Sequence, residues 1–515
     1  MARIIVIGAG VGGMTAAARL AKQGHKVEIF EASDRTGGKC RTEWIGDYAF
    51  DVGPSLLTLP AIYKDFFIKT GPRFEKVLEI QAVDPAFRYT FDDGKTVDFA
   101  NVDLPKTCAA IDASLGVQAG NAWHSIMQRA EIMWDISRIP FVQSELPSIF
   151  KLATSADLIR NIRHIAPHQS LRKVTTRYTT NPYLQKIIDR YATYTGSDPR
   201  LAPAVLLTIA FIESTFGAWH ISGGIGKLSE ALADRCHLLD IPIHLNSPIT
   251  EITTHANAVT GVRTVDGRHI PAEIVVANAD AELIYNQLLA PNVTAAKSER
   301  RKLKRSQKSL AGFSLLLGLD NQKATGILPK LAHHNVYFPK NYDAEFDQIF
   351  KEKRPVDDPT IYICAPMDPQ MVKREGTENW FVLVNAPRHE PGSGWDWSTG
   401  GSEYAQKLIE RLDALGLKVS ERLDVMEFRT PLDLHNQVNA PGGSIYGTSS
   451  NGARSAFLRA KNRSDVQGLY CVGGSAHPGG GLPLVGISAE LVADAIGLAD
   501  GSSKSFKSAT GHHDQ

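Results

Sequence analysis

Net charge, clustered cysteines and long apolar runs are all scarce in this 515-residue chain, and each shortage closes a class of function. The five cysteines, Cys40, Cys108, Cys236, Cys364 and Cys471, are odd in number and free of C-x-x-C spacing. Neither a disulfide framework nor a zinc site is indicated, and a reducing compartment is expected. The longest apolar stretches, 202–212 ("APAVLLTIAFI") and 310–319 ("LAGFSLLLGL"), fall short of the roughly 20 residues a membrane-spanning helix needs. The apolar run from Ile4 passes directly into a glycine turn, which predicts no signal peptide. With 56 Lys and Arg against 55 Asp and Glu, the formal charge of +1 gives no global reason to bind nucleic acid. What remains is an ordinary globular composition, 43% hydrophobic and 22% charged, at a length that suggests two or three lobes.

What is present in quantity is glycine, and it is placed with purpose. Ile4 to Ile7 is a β-branched apolar run, as expected for a strand buried on both faces. Gly8, Gly10 and Gly13 follow as G-x-G-x-x-G, with Val11 and Gly12 inside the turn, and "MTAAARLAKQG" reads as a helix over 14–24 stopped by glycine. A second strand, "KVEIFE", ends in Glu31, followed by Ala32. Such glycines permit a tight turn, close approach of a pyrophosphate to backbone N–H groups, and close helix-to-strand packing. Glu31 sits 18 positions after Gly13, where an acid accepts hydrogen bonds from a ribose 2′-hydroxyl and repels a 2′-phosphate. A structural strand-turn-helix without ligand is the alternative, and the ordered set of strand, glycines, helix and acid argues against it.

The next glycines decide which dinucleotide. "DRTGGKCRT" adds Gly37 and Gly38 just after the ribose acid, and "FDVGPSLL" brings Gly53, Pro54 and Ser55 close behind. The longer FAD needs such a second loop; nicotinamide enzymes usually do not. Arg35 and Lys39 are candidate phosphate neighbours, or else members of a solvated loop. No second strand, G-x-G-x-x-G and helix follow Glu31, so no separate nicotinamide domain is evident. Electrons taken up by FAD would pass to another acceptor, oxygen or a membrane quinone.

From here the sequence resembles the bacterial-type phytoene desaturases, flavoproteins of the flavin amine oxidase-like superfamily that desaturate carotenoid precursors. The likeness is carried in order by "FDVGPSLLTLPAIYKDFF", "FGAWHISGGIGKLSEALA", "IHLNSPITEI", "AEIVVANADA", "LAHHNVYF", "YICAPMDP", "FVLVNAP", "TPLDLHNQVNAPGGS" and "GLYCVGGSAHPGGGLPLVG". It is weakest from Pro105 to Thr215. The resemblance implies an α/β fold: a Rossmann-type FAD-binding domain assembled from discontinuous segments, a mixed α+β substrate domain and a helical, membrane-facing cap. The expected boundaries are 1–75, 216–285 and 435–500 for the FAD domain, 76–118 and 286–434 for the substrate domain, 119–215 for the cap, and 501–515 for a disordered tail. The returning strands place Ile249 and Asn278 at the cofactor. Gly473, Gly474, Gly481, Leu482 and Pro483 belong to a loop and to a helix expected to begin near Leu484, which in the family lie against the isoalloxazine ring. A helix N-terminus there stabilises negative charge on a reduced flavin, and proline suits the helix start. His477, in the same loop, is a candidate catalytic residue flanking the flavin or the substrate channel, or else a hydrogen-bonding strut.

"ADLIRN" resembles a family segment in which an acid and an arginine three residues later act on the substrate, so Asp157 and Arg160 are the candidate acid–base pair. The plain alternative is a surface ion pair at helical spacing. The implied substrate is a lipophilic polyene, which dissolves in bilayers and requires a peripheral approach to a membrane from the cytoplasmic side. Between Lys151 and Arg190 eight cations stand against two acids, Asp157 and Asp189, with apolar residues interleaved, which suits an anionic membrane surface or else a solvated basic face. Competing readings on the same frame are a flavin amine oxidase or protoporphyrinogen oxidase, a carotenoid isomerase or retinoid saturase, and a non-enzymatic prenyl-protein carrier. Oligomeric state is not encoded in any of these motifs.

Overall fold

The computed structural model describes residues 1–146, 163–452 and 455–499. Strand β1 (Arg3–Ile7), helix α1 (Val11–Lys22) and strand β2 (Lys26–Phe30) open the chain. β1 is central in a parallel five-stranded sheet whose order is 469–471, 274–277, β1, β2 and 243–244. That central place explains the unbroken apolar run. Ile4 and Val6 pack into the core under α1, Ile5 and Ile7 into the core on the opposite face, and Ile4, Ile5 and Val6 are all 0% exposed.

α1 starts at Val11, three residues before the start read from the sequence, so Gly12 and Gly13 lie inside the helix rather than in the turn. The reason is packing. A Cβ on Gly13 would sit 2.1 Å from the Gly8 carbonyl oxygen, a separation that only glycine allows, and the small Ala16, Ala17 and Ala18 are all fully buried. The final helix, Leu482–Ile496, packs against α1 and also starts earlier than expected, by two residues.

A second, seven-stranded sheet has the order 423–429, 311–320, 377–386, 361–364, 334–337, 87–90 and 96–99. All its neighbours are antiparallel except 87–90 and 334–337. The apolar run at 310–319 is its long inner strand, with Leu315, Leu316, Leu317 and Leu319 fully buried, not a span. Among the described residues no helix is long and apolar enough to cross a membrane. Helices at 104–115, 119–137, 171–175, 182–190 and 207–216 pack with the 87–99 hairpin around Trp123, Ile126 and Met133. The fold is a mixed α/β one.

Several cations counted as a basic surface turn inward. Arg172 Nη2 lies 2.7 Å from Asp189 and 2.6 Å from Asp343, Lys186 donates to the Pro339 carbonyl at 2.7 Å and pairs with Asp92, and Arg190 is buried. Arg163, Lys173 and Arg177 are exposed. Lys151, Asp157 and Arg160 lie outside the described residues.

Candidate flavin site and substrate cavity

A cavity of about 860 Å³ lies between the two sheets, near the upper end for small-molecule sites, which run to roughly 1,000 Å³. Its wall begins at the carboxyl end of β1. Gly8, Gly10, Val11 and Gly12 line it, and so do Glu31 and Ala32 beyond β2. Gly8 has φ +93°, the left-handed side that glycine tolerates. α1 has Gly10 as its N-cap, with no side-chain cap and no acid in its first turn, so its first N–H groups are left to an anionic ligand. The Glu31 carboxylate is fixed by the Ala9 N–H at 2.7 Å and by the Ser33 N–H and hydroxyl at 2.9 and 2.8 Å.

The second glycine loop folds back on the first. The Gly37 N–H donates to the Ala9 carbonyl at 2.9 Å, and Gly37, Gly38, Lys39, Gly53, Pro54 and Ser55 continue the lining. Lys39 does not project a free ammonium. It donates to the carbonyls of Ser444 and Ile445 at 3.2 and 2.9 Å, and its burial lowers its pKa while Asp280 opposes the shift. Arg35 is 54% exposed, pairs with Asp34 and Glu43, and is not among the cavity-lining residues. Its solvated-loop alternative is the one the geometry favours.

Ile249, Asn278, Gly473, Gly474, Gly481, Leu482 and Pro483 also line the cavity. Asn278 joins the two ends of the chain: a Cβ on Gly12 would meet its Oδ1 at 2.7 Å and Gly473 Cα at 3.2 Å. The final helix begins at Leu482 after Gly481, again without a side-chain cap. The loop before it is braced by two side chains. Arg459 donates to the carbonyls of Tyr446, Thr448 and Gly474, and Asn462 to those of Cys471 and His477. Two uncapped helix N-termini, an anchored acid and glycines that leave no room for a Cβ together fit an adenine dinucleotide carrying a flavin.

His477 is not brought to this cavity. It is buried, its Nε2 lies 3.0 Å from the Ser144 carbonyl, and burial holds its pKa down at about 4. Gly13 lines nothing either; it serves the helix-to-strand contact.

Residues without an individual role in the sequence reading complete the wall. Phe87, Val336, Phe381 and Leu383 are apolar lining, and Arg190, Tyr342, Thr360, Tyr362 and Asn385 are polar lining. The Tyr362 hydroxyl lies 2.7 Å from Ser55 Oγ and 2.8 Å from His334 Nδ1, a hydrogen-bonded run from the cavity to a fully buried ring. Burial and the neighbouring His333 push the His334 pKa well below its ordinary value, so this imidazole is neutral. His333, His334 and Cys364 offer ligand-type atoms within 4.8 Å of one another, a cluster invisible in the spacing of the cysteines. Burial holds His333 down at about 3 and raises the Cys364 thiol, so all three are uncharged. The strand blocks "LAHHNVYF" and "YICAPMDP" carry the available signal: their antiparallel register pairs His334 with Cys364 and Val336 with Tyr362, which puts His334, Cys364 and Tyr362 on one face of the sheet.

Comparison with known proteins agrees with this chemistry. The model of the flavin containing amine oxidoreductases matches residues 11–345. The chain is 32% identical over 96% of its length, and 99% of the relative's, to a 1-hydroxycarotenoid 3,4-desaturase of Flavobacterium sp.. It is 30% identical to a zeta-carotene-forming phytoene desaturase of Myxococcus xanthus, over 96% of this chain and 93% of that one. A 4,4'-diapolycopene oxygenase of Methylomonas sp. is 30% identical over 96% of this chain and 98% of that one. Among solved structures, a putrescine oxidase has the same fold, with a TM-score of 0.64 at 12% identity, covering 96% of this chain and 99% of that one. With an uncapped α1, an anchored Glu31 and this likeness in hand, the chain belongs to the flavin-containing amine oxidoreductase family and is an FAD-dependent oxidoreductase.

Proposed function

We propose that the protein is a carotenoid desaturase acting on phytoene or a later acyclic carotenoid. The observation that carries the proposal is one cavity lined both by the dinucleotide glycines and by the apolar Phe87, Val336, Phe381 and Leu383; full-length likeness to carotenoid desaturases supports it. Bound FAD supplies a two-electron acceptor, so that a hydride leaves one saturated carbon, a proton leaves its neighbour and a double bond forms between them. The chain's own residues supply orientation and dryness. Apolar side chains hold the polyene and exclude water, and the substrate's own double bonds spread the positive charge.

The proton needs an acceptor. Asp157 with Arg160 stays the proposed acid–base pair, and in the described wall the Ser55, Tyr362 and His334 run offers a second route to a neutral imidazole. We assign Gly8, Gly10, Val11, Gly12, Glu31, Ala32, Gly37, Gly38, Lys39, Gly53, Pro54, Ser55, Ile249, Asn278, Gly473, Gly474, Gly481, Leu482 and Pro483 to the FAD wall, and Gly13 to the packing behind it. Residues 1–75, 216–285 and 435–500 would make up the FAD unit, an assignment supported by the five parallel strands, all drawn from these segments. Residues 76–118 and 286–434 would make up the substrate unit, and 119–215 a cap that meets an anionic bilayer. Exposed Arg163, Lys173 and Arg177 support that contact, with oxygen or a quinone as the final electron acceptor.

The test is incubation of FAD-loaded protein with phytoene and later intermediates in liposomes, aerobically and with added quinone. Chromatography showing new conjugated double bonds is expected; unchanged polyenes under both conditions would overturn the reading. Flotation of the protein with anionic but not neutral liposomes tests the membrane contact.

A further inference from the structure

Part of the cavity wall is more polar than a hydrocarbon needs. Tyr342 and Thr360 both line it, at 4% and 7% exposure. The Tyr342 hydroxyl has no hydrogen-bond partner among the described residues, and the Thr360 hydroxyl has only the Glu345 carboxyl beside it, outside normal hydrogen-bond geometry. Burial of an unpaired hydroxyl is unfavourable, and a ligand that accepts or donates there recovers the loss.

These groups are not stray. The helix Tyr342–Asp347 carries Tyr342 and Glu345 three positions apart, hence on one face. Glu345, fully buried, accepts from the Thr360 N–H and from Asn385 Nδ2, each at 2.7 Å. The carboxyl is therefore held from two sides, next to the Thr360 hydroxyl and on the same helix face as Tyr342. Burial raises its pKa to about 7, so near neutrality the carboxyl is protonated in about half of the molecules. Tyr342 is itself braced by Phe338 and Phe346, with ring centroids 5.4 and 5.0 Å away.

The neighbouring cation is already balanced. Arg190 donates to the hydroxyls of Tyr89 and Tyr194 at 3.0 and 2.9 Å, and its guanidinium lies 4.5 Å from the Phe87 ring centroid. Glu213 closes the network by accepting from Tyr191 and Tyr194, each at 2.8 Å. A charged ligand group here would be a surplus charge in a buried site. An uncharged oxygen would not.

We propose that Tyr342 and Thr360 form a recognition subsite for an uncharged oxygen function, a hydroxyl or carbonyl, carried at one end of the polyene. The proposal rests on the polyene reading above and narrows it: the preferred substrate is an oxygen-bearing acyclic polyene, anchored by that oxygen so that the same carbons always face the flavin side. A subsite built to hydrogen-bond a ligand oxygen discriminates strongly against the analogue that lacks it, because the protein groups are then left unpaired.

The experiment uses FAD-loaded full-length protein and three acyclic polyenes of equal length and unsaturation: the hydrocarbon, its tertiary alcohol at one end, and its terminal ketone. Wild type is expected to show kcat/KM at least about 100-fold higher for an oxygenated polyene than for the hydrocarbon. Comparison of alcohol with ketone tells which oxygen is the ligand. Tyr342→Phe should lower the oxygenated-to-hydrocarbon ratio about tenfold or more with flavin content unchanged, and Thr360→Val should act in the same direction. Equal kcat/KM for all three polyenes, or an undiminished ratio in both variants, overturns the subsite while leaving the polyene reading standing. Turnover of none of the three overturns both.

Discussion

A Cβ placed on Gly473 would stand 2.6 Å from Asn278 Oδ1, so a glycine near the end of the chain is fixed by an asparagine from its middle. Gly473 also has φ +104°, a conformation costly for any other residue. Overpacking of this kind costs about 1–3 kcal/mol. Gly473→Ala should therefore weaken FAD binding by about tenfold or more, measured by flavin fluorescence titration of the apoprotein. Unchanged affinity would detach this loop from the cofactor.

Tyr362 tests the proton route. Tyr362→Phe keeps the ring but removes the hydroxyl that bridges Ser55 and His334. If the run accepts the substrate proton, turnover should fall by about 100-fold with flavin content unchanged. A wild-type rate would leave Asp157 as the acceptor, and Asp157→Asn should then show the loss.

His477 gives the opposite expectation. Its ring faces the Ser144 carbonyl and not the cavity, so His477→Gln should change turnover by less than about tenfold, below what an acid–base residue contributes. A larger loss at full flavin occupancy would return it to the catalytic machinery.

Glu345 sets a pH dependence whose sign can be worked out. Its carboxyl has an unfolded value of 4.5 and a folded one raised by burial to about 7. Between these values the folded chain holds a proton that the unfolded chain has lost, so stability falls as pH rises through that window. The loss is on the order of 3 kcal/mol. Thermal melts from pH 4.5 to 7 should show this fall in wild type and a shallower one in Glu345→Gln. Parallel curves would mean the carboxyl ionises freely.

Legibility of the site followed sequence distance. The Gly8 to Glu31 stretch could be read because strand, turn, helix and acid are neighbours in the chain, and their chemistry needs only local backbone geometry. The same locality misled at the margins: α1 takes in Gly12 and Gly13 because the Gly8 carbonyl lies 2.1 Å from where a Gly13 Cβ would be, a contact no propensity contains. The basic run to Arg190 looked like a surface because charge was counted without partners. Asp343, 171 positions from Arg172, and the tyrosines around Arg190 turn those cations inward.

The sequence by itself determined a strand, glycine turn and helix, an acid after the second strand and a glycine-rich loop before the last helix, because each is written in adjacent residues. Tertiary structure alone decided that Asn278 joins the two glycine clusters, that Tyr362 links Ser55 to His334, and that Tyr342 and Thr360 share a cavity wall with Glu345 bonded behind Thr360. Those contacts arise from strand register and burial between segments far apart in the chain, and a hydroxyl or imidazole acquires its role only from the neighbours that folding supplies.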